Sequence, residues 1–192
     1  MSKTENKTSS NRFKPVDIAF IGVCAALIAI CSWLSIPTTV PFTMQTFAVF
    51  FALYFLGGKK GTIAVAIYIL IGAVGAPVFA GFKGGPAALF GTTGGYILGF
   101  ILSGLIFWLF EVLIGRKFWV EIISMILGLA VCYAFGTIWF MTVYARTKGA
   151  VTLGAALGWC VIPFIIPDVV KIALAFGLGK ALRKLFRSSL EG

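Results

Sequence analysis

Six runs of apolar residues, separated by short basic or glycine- and proline-rich segments, constrain the fold of this chain more than any other feature. A helix that crosses the hydrocarbon core of a bilayer needs about 20 apolar residues. Only 11% of the 192 residues are charged and 60% are hydrophobic, whereas about a quarter of a soluble domain is charged. The sequence therefore predicts an all-α integral membrane protein with six transmembrane helices. The runs cover residues 16–36, 42–56, 62–78, 95–114, 122–143 and 151–178.

These runs divide the chain into three parts. Residues 1–15 are predicted to form a polar N-terminal segment, residues 16–187 a single six-helix transmembrane domain, and residues 188–192 a short tail. Twelve of the 16 lysines and arginines lie on the side of the two termini and three lie on the opposite side. Since positive charge accumulates on the cytoplasmic side, both termini are predicted to be cytoplasmic. The uncharged loop 37–41 and the glycine-rich loop 81–95 would then face outwards together.

The residue types exclude several kinds of chemistry. The net charge of +10 lies in short clusters and not along one face, so the expected partner is a lipid bilayer and not nucleic acid. The chain has no histidine, and its four cysteines lie within apolar runs without a CxxC spacing. We therefore expect no metal and no cofactor. No phosphate-binding loop and no pairing of a nucleophile with a base is visible, so we do not expect the chain to be an enzyme or to hydrolyse ATP.

Asp168 and Lys171 are charged residues inside the last apolar run. A charge at the bilayer centre costs about 2.5–3.5 kcal/mol and normally faces a bundle interior or a cavity. Spaced three apart, the two side chains lie on one face of a helix. Pro163 and Pro167 come just before them and are expected to open the helix locally, because proline lacks a backbone N–H. Two interpretations remain: a structural ion pair, or a ligand-binding pair, which the prolines favour.

Other polar and aromatic residues lie near the predicted outer ends of the helices. Gln45 follows the loop 37–41, and its amide both donates and accepts hydrogen bonds; it either binds a ligand or faces water. Aromatic side chains in this region either line a site or anchor the helices at the membrane interface. They are Phe79, Tyr96, Trp139 and Tyr144.

Four segments of the chain, in this order, resemble the BioY family, the biotin-specific S components of energy-coupling factor transporters. They are residues 36–46 (IPTTVPFTMQT), 72–81 (GAVGAPVFAG), 90–100 (FGTTGGYILGF) and 165–171 (IIPDVVK). The resemblance spans nearly the whole chain after residue 15. Members of the family often carry proline where this chain has Thr92.

The resemblance implies the six-helix S-component fold and high-affinity capture of biotin at the extracellular face of a prokaryotic cell membrane. It also implies two kinds of partner: a transmembrane coupling protein, called the T component, and two cytoplasmic ATPases, which would explain the missing phosphate-binding loop. Ala25 and Ala29 on the first helix would form the docking face for the coupling protein. The implied biotin-binding residues are Thr43, Gln45, Phe79, Thr92, Gly94, Gly95, Tyr96, Tyr144, Asp168 and Lys171.

The chemistry of biotin suits these residues. Its ureido ring has two N–H donors and one carbonyl acceptor, so Asp168 would accept hydrogen bonds and Lys171 would donate them. The thioether ring would need an apolar or aromatic wall. The carboxylate of biotin would need a donor near the mouth of the site. The candidates for that donor are Lys83, Arg146 and the backbone amides of Gly94 and Gly95.

Two other functions remain open on the sequence alone. The same fold can serve a different small substrate, because a fold does not determine a function. Alternatively, the chain is a self-sufficient ion-coupled carrier that uses Asp168 as its proton site. A membrane-embedded enzyme is disfavoured, because the chain has no histidine and no cluster of carboxylates.

Overall fold

The computed structural model describes residues 13–186, so the predictions for residues 1–12 and for the tail 188–192 lie outside the described residues. Most of the described chain is helical. Its helices are α1 (Pro15–Trp33), α2 (Gln45–Leu56), α3 (Gly58–Ala73), α4 (Pro86–Leu89), α5 (Gly94–Ile114), α6 (Phe118–Thr147), α7 (Leu153–Cys160) and α8 (Ile162–Leu185).

Four helical segments of the described chain are long and apolar enough to cross a membrane: Pro15–Trp33, Gly94–Ile114, Phe118–Thr147 and Leu153–Leu185. The last of these combines α7 and α8. α2 has 12 residues and α3 has 16 residues, so at 1.5 Å per residue they are about 18 and 24 Å long, shorter than the ~30 Å hydrocarbon core. The protein is a multi-pass membrane protein, and α2 and α3 occupy the positions of the other two predicted spans.

Local sequence explains where several helices begin and end. Pro15 takes the first position of α1, where its fixed φ suits a helix and its missing N–H is not needed. The Asp17 carboxylate accepts a hydrogen bond from the backbone N–H of Lys14 at 3.2 Å, which satisfies a free donor at the helix start. Between α2 and α3 the chain turns at Gly57, whose φ of +90° is a conformation that glycine adopts without steric cost.

The structure differs from the predicted spans at both outer loops. Residues on either side of 37–41 form a two-stranded antiparallel hairpin that the all-α prediction lacked, β1 (Ser35–Ile36) with β2 (Phe42–Thr43). Helix α3 ends at Ala73 and not at residue 78, and the glycine-rich loop contains the short helix α4. Two-residue strands and single helical turns are too short to produce a periodic hydrophobic pattern.

The helix of the last apolar run is interrupted, but the break does not lie at both of its prolines. The chain breaks between α7 and α8 at Val161, where φ is −126° and ψ is −59°. Pro163 lies in the first turn of α8, which tolerates proline. Pro167 lies inside α8, and the helix continues through it. The break in the helix is therefore not beside Asp168, as expected, but about two turns before it, at Val161.

α2 runs through the centre of the bundle, and nearly all of its side chains are buried. It packs against α1, α3 and α8, while α5 packs along α6. Side chains such as Phe50 and Leu53 are completely buried in this core. α5 and α6 approach closely because Gly128 lacks a side chain: a Cβ there would lie 3.2 Å from the backbone of Ser103.

The bundle has two chemically different ends. At one end, which we call the charged end, Arg116 donates to the Tyr54 carbonyl at 2.8 Å. Glu121 pairs there with both Arg116 and Arg183, at 3.4 and 3.3 Å. The opposite end, which we call the cavity end, carries the β1–β2 hairpin and the loop between α3 and α5. The indole of Trp33, at the end of α1, donates to the Pro77 carbonyl in this loop at 2.9 Å.

Candidate ligand-binding site

Asp168 and Lys171 form an ion pair in the interior of the protein. Both lie on α8, and the Lys171 ammonium is 2.7 Å from Oδ1 of Asp168. Only 3% of Asp168 and 4% of Lys171 is exposed. The helical spacing therefore brings the two charges together as predicted. An ion pair at this depth is costly to desolvate unless further hydrogen bonds satisfy its remaining atoms.

Two aromatic residues complete the surroundings of this pair. Tyr133, from α6, donates its phenolic hydrogen to Oδ2 of Asp168, with the oxygens 2.6 Å apart. The ring of Phe42, from β2, lies 4.1 Å from the Lys171 ammonium, a cation–π distance. Phe42 in turn stacks on Phe164 of α8, with ring centres 5.8 Å apart. The charge pair thus joins α8 to α6 and to the outer hairpin.

Sequence reasoning missed Tyr133. The aromatic residues predicted to line a site all lie near predicted helix ends, where interfacial anchors are common. Tyr133 lies in the middle of the fifth apolar run, at the depth of Asp168. A tyrosine far from the interface has a hydroxyl that needs a partner, and that signal was present in the sequence.

A cavity of about 470 Å³ opens beside the ion pair, within the usual size range of small-molecule sites. The loops 37–41 and 81–95 both contribute to its wall, through residues 38–41 and through several residues between 83 and 93, so the two loops lie together; that they face outwards stays a prediction. Tyr133 and Lys83 line the cavity as well. Seven of the predicted binding residues line it: Thr43, Gln45, Phe79, Thr92, Tyr96, Asp168 and Lys171.

A second polar group lies on the wall formed by α2 and α3. The Gln45 amide donates to the Tyr68 hydroxyl at 3.0 Å, and Tyr68 donates to the Val78 carbonyl at 3.2 Å. The Tyr68 ring meets Phe79 edge-on, with centres 5.5 Å apart. Phe79 fits only because Gly72 has no side chain, since a Cβ at Gly72 would lie 2.1 Å from the ring. Tyr68 thus contacts both Gln45 and Phe79 and fixes their positions in the wall.

Three predicted binding residues do not line the cavity. Gly94 and Gly95 begin α5, where they allow close packing: a Cβ would lie 1.6 Å from the Leu89 carbonyl oxygen and 2.2 Å from Cβ of Trp139, respectively. The Gly94 N–H donates to the Gly91 carbonyl at 3.1 Å. Tyr144 stacks instead on Phe140, at 5.2 Å.

Two other residues near this end also lie outside the cavity. Arg146, the alternative to Lys83 as a donor at the mouth, is not among the lining residues. Trp139 serves the wall indirectly, because its indole donates to the carbonyl of Gly91 at 3.0 Å. Gly91 itself lines the cavity.

The small residues of α1 lie on two faces of the helix, one buried and one exposed. Ala25 and Ala29, the expected docking face, are 4% and 8% exposed and belong to the core of the bundle. A partner protein cannot contact side chains that the chain itself covers, so this expectation needs correction. Gly22, three residues before Ala25, and Ala26, one residue after it, are exposed. A Cβ at Gly22 would meet nothing within 4 Å.

Metal ligands are not gathered around the cavity. Within residues 13–186, no three side chains among His, Cys, Asp and Glu are grouped closely enough to hold a metal ion. Cys132 and Cys160 line the cavity as buried free thiols.

A bundle of membrane-crossing helices that encloses a mostly uncharged cavity, with one buried ion pair in its wall, defines a membrane-embedded small-molecule binding protein. Similarity to known proteins shows the family. The model of the BioY family matches residues 4–188, and the chain belongs to this family.

Relatives of known name agree with this assignment. The biotin transporter BioY of Thermotoga maritima is 40% identical over 166 residues, which cover 85% of this chain and 94% of the relative. The probable biotin transporter BioY of Pyrococcus horikoshii is 36% identical over 171 residues, covering 88% and 98% of the two chains. Both are named as transporters and not as enzymes.

The fold matches a solved structure of the same kind. A crystal structure of the S-component for biotin from an ECF-type ABC transporter superimposes with a TM-score of 0.74 at 27% identity. The match covers 88% of this chain and 90% of that one. The prediction that the chain resembles a biotin-specific S component is therefore confirmed.

Proposed function

We propose that this chain captures biotin in the cavity beside Asp168 and Lys171 and delivers it through an ATP-driven energy-coupling factor transporter. The observation that carries the proposal is the ion pair itself. It is almost completely buried, yet it lines a cavity large enough for a small molecule. A purely structural pair would have no need of an adjoining cavity.

The ion pair has unused hydrogen-bonding capacity that suits a ureido ring. A carboxylate has room for about four hydrogen bonds and an ammonium has three donors. Asp168 accepts one bond on each oxygen from within the chain, and Lys171 gives one donor to Asp168. Asp168 therefore accepts from a ureido N–H group, and Lys171 donates to the ureido carbonyl.

The remaining parts of biotin have counterparts along the cavity. The thioether ring packs against the apolar wall that Phe79 and Tyr96 provide. The carboxylate lies at the mouth, where Lys83 is an exposed lining residue. Thr43, Gln45 and Thr92 supply neutral hydrogen-bonding groups between the two ends.

The membrane topology of the proposal has six crossings. They are α1, α2, α3, α5, α6 and the combined α7–α8 segment. Both termini lie on the cytoplasmic side of the cell membrane, because the basic residues gather at the charged end. The cavity end then faces the outside.

The energy for transport comes from partner subunits, since the sequence has no phosphate-binding loop. The partners are a transmembrane coupling protein and two cytoplasmic ATPases. The coupling protein docks on α1 at the exposed pair Gly22 and Ala26, because small residues allow two helices to approach closely in a membrane. Biotin is the ligand, and no cofactor takes part.

Equilibrium binding to the purified protein in lipid nanodiscs tests the proposed ligand. Wild-type protein is expected to bind biotin and to reject unrelated vitamins such as thiamine and riboflavin. Asp168→Asn and Lys171→Met are each expected to weaken biotin binding by at least 100-fold, on the scale of a lost charge-assisted hydrogen bond together with a buried unpaired partner. Lys148→Met removes the same charge outside the cavity and serves as the control. Biotin affinities within a few-fold of wild type in both site variants would refute the proposal.

A further inference from the structure

We propose that the Tyr133 hydroxyl is a third recognition group for the ligand, accepting a hydrogen bond from one ligand N–H in a direction that Asp168 fixes. This inference rests on the proposed function and adds a specificity-determining residue to it. Tyr133 lines the cavity, and from α6 it contacts the α8 ion pair directly at Asp168.

The phenol of Tyr133 carries a single hydrogen that it can donate. A tyrosine hydroxyl has one O–H donor and otherwise only acceptor capacity. Tyr133 gives this hydrogen to Oδ2 of Asp168, with an oxygen–oxygen distance of 2.6 Å. An O–H bond to a carboxylate is short and strong, so a ligand does not displace it easily. What remains for the cavity is a lone pair of Tyr133.

Tyr96 also lines the cavity, but the direction of its hydroxyl hydrogen bond is not fixed in this way. The Tyr96 hydroxyl lies 2.9 Å from the Thr137 hydroxyl, and either oxygen can be the donor. Tyr96 can therefore present a donor or an acceptor to a ligand. Only a bond to an obligate acceptor such as an ionised carboxylate fixes the direction of the hydroxyl, and Tyr133 has such a bond.

Together, three side chains define a pattern that the ligand must match. Asp168 and Tyr133 present acceptors, and Lys171 presents donors. The complement is a group with two N–H donors and one carbonyl oxygen, as in a cyclic urea. A ligand that turned a lone pair towards Tyr133 would leave two acceptors facing each other, and unpaired buried polar groups of this kind are the strongest basis for rejecting an analogue.

The test combines a variant with modified ligands. Biotin and its two N-methyl derivatives, one for each ureido nitrogen, are titrated into wild-type protein and into Tyr133→Phe, both in nanodiscs. We expect Tyr133→Phe to weaken biotin binding on the order of ten-fold. For the derivative whose methyl group occupies the nitrogen facing Tyr133, the bond is already absent in wild type. The same substitution should therefore leave its affinity unchanged or raise it.

Tyr54→Phe is the matched control, because Tyr54 lies at the charged end of α2 and packs against Phe176. It should leave all three affinities unchanged. An equal loss for biotin and both derivatives in Tyr133→Phe would mean that Tyr133 acts only by holding Asp168, and no loss for biotin would mean that it plays no part. Either result overturns the inference. A wild-type protein that fails to bind biotin at all would refute the proposed function instead.

A second substitution keeps the test decisive if Tyr133→Phe does not yield folded protein. Replacing Tyr133 with 3-fluorotyrosine makes the phenol a better donor to Asp168 and a poorer acceptor. Biotin binding should weaken if Tyr133 accepts from the ligand. Unchanged or tighter binding would leave Tyr133 with a purely structural role and would overturn the inference.

Discussion

The ammonium of Lys171 lies 4.1 Å from the centre of the Phe42 ring. Phe42 belongs to the outer hairpin strand β2 and is not one of the residues that line the cavity. The hairpin is therefore connected to a buried charge of the site through an aromatic face. A change in this ring reaches the ligand through Lys171, through the hairpin, or through Phe164, which stacks on Phe42 and lines the cavity.

Phe42→Leu is expected to weaken biotin binding about two- to thirty-fold, since a cation–π contact contributes roughly 0.5–1 kcal/mol when exposed and about 2 kcal/mol when desolvated. Leucine keeps most of the apolar volume but offers no negative π face. Phe47→Leu is the control, because Phe47 stacks on Phe51 in α2, at 6.1 Å, and does not line the cavity. Titration calorimetry measures both. Equal affinities for Phe42→Leu and wild type would show that the contact does not position Lys171.

The ion pair should affect stability and binding in different ways. Asp168→Asn leaves the Lys171 ammonium, 4% exposed, without its counterion, and breaking a buried pair from one side costs about 3–5 kcal/mol. The double variant Asp168→Asn/Lys171→Met removes the stranded charge. We expect thermal unfolding in detergent to show a large loss for the single variant and partial recovery for the double variant.

Biotin binding should not recover in the double variant, because both recognition groups are then absent. This contrast separates a functional pair from a structural one. If the double variant regained both its melting temperature and its biotin affinity, the pair would be only a packing element.

Sequence reasoning recovered the features that depend on spacing along the chain. Hydropathy located the long helices, and a spacing of three brought Asp168 and Lys171 to one face of α8. The loops 37–41 and 81–95 could be assigned to one end because the number of crossings between them is even. Each of these inferences needs only local geometry or counting.

The features that were missed depend on contacts between distant segments. The bond between Tyr133 and Asp168 joins residues 35 positions apart, and no local pattern pairs them. On α1, small residues lie on both the buried and the exposed face, so the sequence could not distinguish Ala25 and Ala29 from Gly22 and Ala26. Burial, which decides between the two faces, is a property of the packed bundle.

Gly136 should control the cavity wall through Tyr96. A Cβ at Gly136 would lie 2.2 Å from Cδ1 of the Tyr96 ring, so Gly136→Ala must move either that ring or α6. Overpacking of this kind costs about 1–3 kcal/mol. We expect a lower melting temperature together with weaker biotin binding, because Tyr96 lines the cavity.

Gly177→Ala provides the comparison for this change. It is the same substitution in the interior of a helix, at an exposed position of α8 where a Cβ meets nothing within 4 Å. Alanine there should be neutral or stabilise the helix by up to about 1 kcal/mol, with no change in binding. If the two variants behaved alike, the close approach of Gly136 to Tyr96 would have no functional consequence.

Gly22→Leu should separate ligand capture from transport. Gly22 is exposed on α1, and a Cβ there would meet nothing within 4 Å, so the variant is expected to fold and to bind biotin as wild type does. A leucine at a close helix–helix contact would hold the partner's helix away, since such interfaces depend on small residues. We therefore expect ATP-dependent biotin uptake to fall to background in vesicles that contain the coupling protein and the ATPases.

Gly154→Leu, at an exposed site on α7 with equally open space, should keep normal uptake. Full uptake by Gly22→Leu would exclude this face of α1 as the docking surface, and uptake by the chain alone that collapsed with the proton gradient would favour an ion-coupled carrier instead.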